Sequence, residues 1–120
     1  MQILYVENHG VFARIVTEKF LAAHELVVVP TLSGARAALA RTLFDAILVD
    51  FDLDDGTGFE LIVELRAAGN KIPIVAVSAK KTLNRLLVAA GATTAVSKLE
   101  FSKIGGVLDG LSGQTHEYLQ

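Results

Sequence analysis

Four short apolar runs recur along the chain, and they constrain its fold more than any other feature of the sequence. The runs are ILYV (3–6), LVVV (26–29), AILV (46–49) and IPIVAV (72–77). Continuous rather than alternating apolar residues are typical of strands that are buried on both faces, as in a parallel sheet. A shorter fifth run, Ala95-Val96, is assigned to a strand mainly from its place in the series.

Segments with helical patterns lie between these runs. Residues 11–24 carry apolar side chains at three- and four-residue spacing, which predicts a helix with one apolar face. These side chains are Phe12, Ile15, Val16 and Phe20. Residues 57–69 open with Thr57 and Glu60, the pair of a capping box, and end at a glycine, a common helix stop. The last helical segment, residues 101–111, contains three glycines, so we expect it to be soft.

The alternation of strands and helices predicts an α/β fold, in which five βα units form a doubly wound, five-stranded parallel sheet. The chain has 120 residues, which is enough for one domain with a real core. We assign residues 1–112 to this domain. Residues 113–120 are polar, and we expect them to be a tail or the stump of a linker.

Composition narrows the classes of partner. The net charge is -2 and the basic residues are scattered, which argues against direct binding of nucleic acid. The chain has no cysteine, so it forms no disulfide and no thiolate metal site. Since no apolar run approaches the roughly 20 residues that span a bilayer, and no signal peptide is recognisable, we expect a cytoplasmic protein without a membrane partner.

Polar residues follow the predicted strands at their carboxyl ends. In a parallel sheet these ends meet at one edge, where α/β proteins bind ligands. Converging carboxylates favour a cation such as Mg²⁺, while a lysine and a hydroxyl stabilise a transferring phosphoryl group. A carboxylate can also act as the nucleophile and form an acyl phosphate. The residues in question are Glu7, Asn8, Asp50, Asp52, Ser78 and Lys98.

Four blocks of sequence, ILYVEN, DAILVDFDLDDGTGFEL, IPIVAVSA and GATTAVSKLEF, resemble the motifs of the response-regulator receiver domain of two-component signalling. The resemblance covers about residues 2 to 112. It implies a flavodoxin-like, CheY-like sheet with strand order 2-1-3-4-5. It also implies that Asp50 accepts a phosphoryl group with the help of Ser78 and Lys98. The implied magnesium site consists of Glu7, Asn8, Asp50 and Asp52.

Three residues depart from the receiver pattern. Asn8 stands where the family has a carboxylate that ligates Mg²⁺, so we expect weakened magnesium binding. Leu99 replaces the proline after the conserved lysine, so the loop that follows Lys98 is either strained or rebuilt in trans. Ala95 replaces the family's aromatic switch residue, so a signal must leave the site by another route.

The resemblance implies a signalling switch that takes a phosphoryl group from a histidine kinase or a phosphotransfer protein. Such a protein is no enzyme beyond its own phosphorylation and dephosphorylation. It would act on an output partner or on an output domain outside this sequence. One alternative is a receiver-like docking or dimerisation module that is not phosphorylated and associates through helix 4, strand 5 and helix 5. A remote alternative is a small phosphatase with Asp50 as nucleophile and Asp52 as general acid.

The roles of several neighbouring residues follow from local chemistry alone. Asn8 either caps the first helix or contacts a metal ion, and both readings stay open. Asp54 and Asp55 are expected to be solvated turn residues. His9 is expected to be a loop residue rather than a ligand.

Overall fold

The strands of the main sheet are parallel and lie in the order β2-β1-β3-β4-β5, as predicted. The computed structural model describes residues 1–119, with side chains through residue 112. Counting only the strands of this sheet, β1 to β5 are Gln2–Val6, Glu25–Val29, Ala46–Val49, Ile74–Ala76 and Thr94–Ala95. A separate two-stranded hairpin follows β3 and consists of Asp52–Leu53 and Gly56–Thr57.

The register aligns the carboxyl ends of the strands. Val6 at the end of β1 pairs with Val29 on one side and with Val49 on the other. Val49 pairs with Ala76 of β4, and Ala76 pairs with Ala95 of β5. The residues that directly follow these strands therefore lie along one edge of the sheet.

Helices cover both faces of the sheet. The α-helices α1 to α5 are Gly10–Phe20, Leu32–Arg41, Gly58–Ala67, Lys81–Ala90 and Ile104–Leu119, and a 3₁₀ helix spans Lys98–Lys103. The core under α1 and α5 is separate from the core under α2, α3 and α4. The predicted tail, residues 113–120, is the end of α5 as far as Leu119, while Gln120 lies outside the described residues. Its role as a linker stays a prediction.

Four aromatic residues form a cluster under α1 and the 3₁₀ helix. The ring of Phe101 lies 6.2 Å from the ring of Tyr5 and 6.0 Å from those of Phe12 and Phe20, measured between centroids. Offset and edge-on ring pairs at such distances are favourable beyond the apolar area that they bury. This cluster anchors the chain that follows β5, and therefore the position of Lys98.

Two sequence expectations about burial are wrong. Val27 and Val28 of β2 are 39% and 42% exposed, although their run was predicted to be buried on both faces. The reason is that β2 is an edge strand, with a neighbour on one side only. Ile15 is 52% exposed, and Ala13 takes its place with Val16 on the buried face of α1.

The predicted ends of α3 are confirmed. The hydroxyl oxygen of Thr57 accepts a hydrogen bond of 3.2 Å from the backbone N–H of Glu60, which caps the first turn. Gly69 follows the helix with φ of 77°, a conformation that disfavours residues with a Cβ atom. The local signals in this segment therefore agree with its structure at both ends.

Candidate functional site

A lysine lies between two buried carboxylates at the carboxyl edge of the sheet. Lys98 Nζ is 2.8 Å from Glu7 Oε1 and 2.9 Å from Asp50 Oδ2. The side chains of Glu7, Asp50 and Lys98 are 0%, 7% and 14% exposed. Lys98 Nζ also lies 5.1 Å from the centroid of the Phe12 ring, a cation–π distance. The structure thus brings together three of the six residues that the sequence indicated.

Backbone hydrogen bonds hold both carboxylates in place. The N–H of Glu7 donates to the carbonyl of Val29 at 2.9 Å, and the N–H of Asp50 donates to the carbonyl of Val6 at 3.0 Å. Each acidic residue is therefore the first residue beyond its strand, yet it is still held by the ladder. At Gly58, a Cβ atom would collide with the Asp50 carbonyl, so the start of α3 packs directly on this backbone.

The two carboxylates compete for a single ammonium group. Burial raises the pKa of Asp50 to about 6, with a further contribution from the charge of Glu7, while Lys98 opposes the rise. Burial also acts to raise the pKa of Glu7, but hydrogen bonding and attraction to Lys98 outweigh it and lower that pKa. Burial alone would lower the pKa of Lys98, and its hydrogen bonds to both carboxylates raise it instead. Asp50 is therefore the carboxylate that takes up the first proton.

Glu7 is held by further donors inside the protein. The hydroxyl of Tyr5 donates to Glu7 Oε1 at 3.4 Å, and the backbone N–H of His9 donates to Oε2 at 3.3 Å. His9 Nδ1 lies 3.2 Å from the same Oε2. Burial, followed by the negative charges of Glu7 and Asp50, raises the pKa of Tyr5, which stays a neutral donor. Glu7 is thus held in place by these bonds, and it in turn orients Lys98.

Ser78 lies two residues after the end of β4, in a well-bonded turn. Its hydroxyl oxygen accepts a hydrogen bond of 3.2 Å from the backbone N–H of Lys80. The backbone N–H and carbonyl of Ser78 both bond the side-chain amide of Asn84, which is buried on α4. Sequence reasoning missed Asn84. Its signal was a polar residue three positions before buried Leu87, on the face that α4 turns to the sheet.

Asn8 directly follows Glu7 in the chain but does not cap α1. The N-cap of α1 is His9, without a side-chain capping bond, so the capping alternative for Asn8 is wrong. Asn8 Nδ2 donates to Asp54 Oδ1 at 3.4 Å. Among the described residues, Asn8 Oδ1 is one of two buried side-chain polar atoms without a hydrogen-bond partner. A buried amide oxygen without a partner is the kind of donor that a hard cation uses.

Ligand atoms of Glu7, His9 and Asp50 lie within 4.8 Å of one another. These three groups could hold a divalent cation, and the unpartnered oxygen of Asn8 belongs to the residue between Glu7 and His9 in the chain. His9 was expected to be a loop residue, and its side chain is 65% exposed, but its ring faces this cluster. Asp52 lies in the hairpin with an exposed side chain, so the structure does not bring its carboxylate into the buried centre formed by Glu7, Asp50 and Lys98.

The turn after β3 ties the hairpin to α2. The carboxylate oxygens of Asp55 accept hydrogen bonds of 2.6 Å from the N–H of Leu32 and 3.0 Å from that of Ser33. These bonds to the start of α2 lower the pKa of Asp55. Asp55 is an exposed turn residue, as expected, and it also bonds two N–H groups of a helix whose own N-cap is Thr31.

The loop after Lys98 is rebuilt in trans. Within the described part of the chain no peptide bond is cis, and Leu99 lies 82% exposed in the 3₁₀ helix. The backbone N–H of Leu99, which a proline would lack, donates to the hydroxyl of Ser97 at 3.2 Å. The sequence left open a strained loop or a loop rebuilt in trans, and the structure shows the loop in trans.

Comparison with known proteins gives a consistent result. The profile of the response regulator receiver domain matches residues 3–103. The swarming motility regulation protein RssB of Serratia marcescens is 32% identical over 88 residues, which cover 72% of this chain and 40% of that protein. The chain spans well under half the length of the curated relatives that it matches.

Solved structures resemble the fold closely. The receiver domain of the Francisella response regulator 1452 superposes with a TM-score of 0.85 at 17% identity, covering 95% of this chain and 98% of that one. The receiver domain of sensor histidine kinase PA1611 from Pseudomonas aeruginosa gives a TM-score of 0.83 at 24% identity, covering 93% and 97% of the two chains. That domain was solved with a magnesium ion coordinated in its active-site cleft. At these identities the likeness establishes the fold.

Proposed function

The chain belongs to the response regulator receiver domain family of two-component signalling, and from this premise we propose that Asp50 accepts a phosphoryl group as the input of a signalling switch. The observation that carries the proposal is the contact of Lys98 with both Asp50 and Glu7 in a buried centre. The donor would be a histidine kinase or a phosphotransfer protein. The catalytic residues are Asp50, Ser78 and Lys98.

The transfer itself is a displacement at phosphorus. A carboxylate oxygen of Asp50 forms a bond to the phosphorus atom, the bond from phosphorus to the donor's nitrogen breaks, and the electron pair stays on that nitrogen. Lys98, which is already hydrogen-bonded to Asp50 Oδ2, stabilises the negative charge on the phosphoryl oxygens. Ser78 supplies a neutral hydroxyl donor from the neighbouring strand end.

We assign the magnesium ligands to Asp50 and the side-chain oxygen of Asn8, with further contributions from Glu7 and Asp52. When bound, Mg²⁺ neutralises charge on the phosphoryl oxygens. The free buried oxygen of Asn8 supports this assignment. Because an amide oxygen is neutral, we propose that the affinity for Mg²⁺ is lower than that of a site with a second carboxylate.

The partners follow from the same function. A kinase or phosphotransfer protein delivers the phosphoryl group, and the output passes to a partner protein, to an output domain outside this sequence, or to a second copy through α4, β5 and α5. Among the described residues, no helix is both long and apolar enough to cross a bilayer. A cytoplasmic location, and the absence of a nucleic-acid partner, remain part of the proposal.

Two other functions compete with this one. A docking module that is not phosphorylated remains the second candidate, because Asn8, Ala95 and Leu99 all depart from the receiver pattern. The match to the receiver family does not favour the phosphatase, whose motif belongs on a first strand, whereas Asp50 follows β3.

The test is incubation with phosphoramidate and Mg²⁺, followed by intact mass spectrometry. We expect a gain of one phosphoryl group in the wild-type protein and none in Asp50→Ala. Asp109→Asn, which removes an exposed carboxylate on α5, is the matched control and should be labelled like the wild type. Equal labelling of Asp50→Ala and the wild type would show that Asp50 is not the acceptor, and no labelling of either would move the chain to the docking-module class.

A further inference from the structure

One side chain of α4 bonds both peptide groups of Ser78. Asn84 Oδ1 accepts a hydrogen bond of 3.0 Å from the Ser78 N–H, and Asn84 Nδ2 donates one of 3.0 Å to the Ser78 carbonyl. Asn84 is 7% exposed, and the other buried residue of α4 is the apolar Leu87. The amide therefore forms a reciprocal clamp between the helix and the end of β4.

The same peptide groups join other parts of the site. The Ser78 carbonyl also accepts a hydrogen bond of 3.2 Å from the backbone N–H of Lys98. The Asn84 N–H donates at 3.1 Å to the carbonyl of Lys80, whose own N–H bonds the Ser78 hydroxyl. A displacement of Ser78 therefore strains contacts to α4 and to the loop that carries the lysine at the same time.

The other side of Asn84 faces an open groove. The groove lies between α4 and β5, has a volume of about 530 Å³, and has no aromatic residue in its lining. Its lining includes Asn84, Val88, Ala95 and Ser97. The small side chain of Ala95 cannot transmit a movement of Ser78 across this space. The direct hydrogen bonds of Asn84 are the contact that can.

We propose that Asn84 is a positioning residue that couples Ser78 to α4, so that α4 moves when Ser78 engages the phosphoryl group. The proposal rests on the proposed function of Asp50. A buried peptide group that loses its partner is costly, because no water replaces the bond. When Ser78 shifts towards the phosphoryl group, the Asn84 amide keeps both bonds and α4 follows. Phosphorylation is then read out on the exposed face of α4, without an aromatic switch.

The experiment follows backbone amides of the 120-residue protein by NMR as Mg²⁺ and then beryllofluoride, a phosphoryl mimic, are added. The Phe51 amide reports binding, because its N–H donates to Asp50 Oδ1 at 2.8 Å. The Val88 and Ala89 amides report the outer side of α4. The measured quantity is the shift of the α4 amides at saturation, divided by that of Phe51.

In Asn84→Ala we expect Phe51 to respond and the ratio to fall at least threefold. Arg85→Ala is the matched control on the same helix and groove, since its side chain is exposed, and it should keep the wild-type ratio. A merely structural role would lower the melting temperature of Asn84→Ala and leave the ratio unchanged. That result would overturn the coupling.

A second variant covers the case in which Asn84→Ala does not fold. Asn84→Asp has nearly the same size and still accepts the Ser78 N–H, but it cannot donate to the Ser78 carbonyl. We expect a reduced ratio, and an unchanged one would overturn the proposal. If Phe51 of the wild type does not respond at all, the proposed function of Asp50 fails first, and the coupling falls with it.

Discussion

Replacing Asp50 with asparagine should stabilise the metal-free protein at neutral pH. The pKa of Asp50 lies near 6 rather than at its ordinary 3.8, chiefly because the carboxylate is buried. Since one pKa unit corresponds to about 1.4 kcal/mol, the ionised carboxylate lowers the free energy of unfolding by about 3 kcal/mol above pH 6. This figure already includes the attraction of Lys98, so it is what remains after the ion pair forms.

The asparagine side chain does not recover this whole amount. The two oxygens of Asp50 accept from different donors, the Phe51 N–H and Lys98 Nζ, and an amide has a single oxygen. One donor therefore loses its bond, at a cost of about 1 to 1.5 kcal/mol. The expected net gain of Asp50→Asn is about 2 kcal/mol at pH 7.5.

The pH dependence of this stability gain shows whether burial of the Asp50 charge is its cause. A carboxyl group whose pKa is raised by folding favours the folded state below pH 3.8, and this contribution is lost as the pH rises through about 6. Asp50→Asn should therefore exceed the wild type in stability at pH 7.5 and nearly equal it at pH 4.5. Urea unfolding in EDTA, followed by circular dichroism at both pH values, measures the difference.

Asp109→Asn makes the same chemical change on the exposed side of α5 and should leave stability within about 0.5 kcal/mol. The reasoning is refuted if Asp50→Asn is less stable than the wild type at pH 7.5. It is equally refuted if its gain is the same at both pH values, because burial of a charge would then not be the cause.

Three further changes test other contacts. Lys98→Met leaves the buried carboxylate of Glu7 without its cation, so it should lower the free energy of unfolding by about 3 to 5 kcal/mol at pH 7.5. Urea unfolding measures this change, and a loss below about 1 kcal/mol would contradict a buried ion pair. Gly58→Ala forces a Cβ atom against a backbone carbonyl and should lower the melting temperature by at least about 10 °C, whereas Gly105→Ala has open space and should raise it. Asn8→Asp adds a charged oxygen ligand and should raise the affinity for Mg²⁺ roughly tenfold. Isothermal titration calorimetry measures this affinity, and an unchanged value would show that residue 8 is not a metal ligand.

The sequence predicted the order of elements because its signals are local. Continuous apolar runs, the cap at Thr57 and the stop at Gly69 act within a few residues, and each one lies at the strand or helix end that it predicted. Exposure of β2 could not be predicted in this way, because Val27 and Val28 would read the same in a central strand as in an edge strand. Whether a strand has one neighbour or two is a property of the whole topology.

The same distinction between local signals and whole-fold topology applies to the candidate site. The strand-end rule brings Glu7, Asp50 and Lys98 to one edge, where the structure places them in contact. The clamp of Asn84 could not be predicted, because it depends on how α4 lies against the end of β4. Asn84 was visible only as a polar residue within an apolar helical face, and such a residue calls for a buried partner.

The neutral Asn8 has two opposing consequences for the centre. With Glu7 and Asp50 ionised and Lys98 charged, the buried groups carry one net negative charge, and a carboxylate in place of Asn8 would make it two. The amide therefore reduces repulsion in the metal-free protein, which favours a formed site before any cation arrives. The same neutrality removes part of the attraction for Mg²⁺. We expect this receiver to keep its centre folded without metal and to need a higher magnesium concentration for phosphorylation. Asn8→Asp should then gain in magnesium affinity while losing stability in EDTA. A variant that gained both would contradict the claim that the charge of residue 8 affects these two quantities in opposite directions.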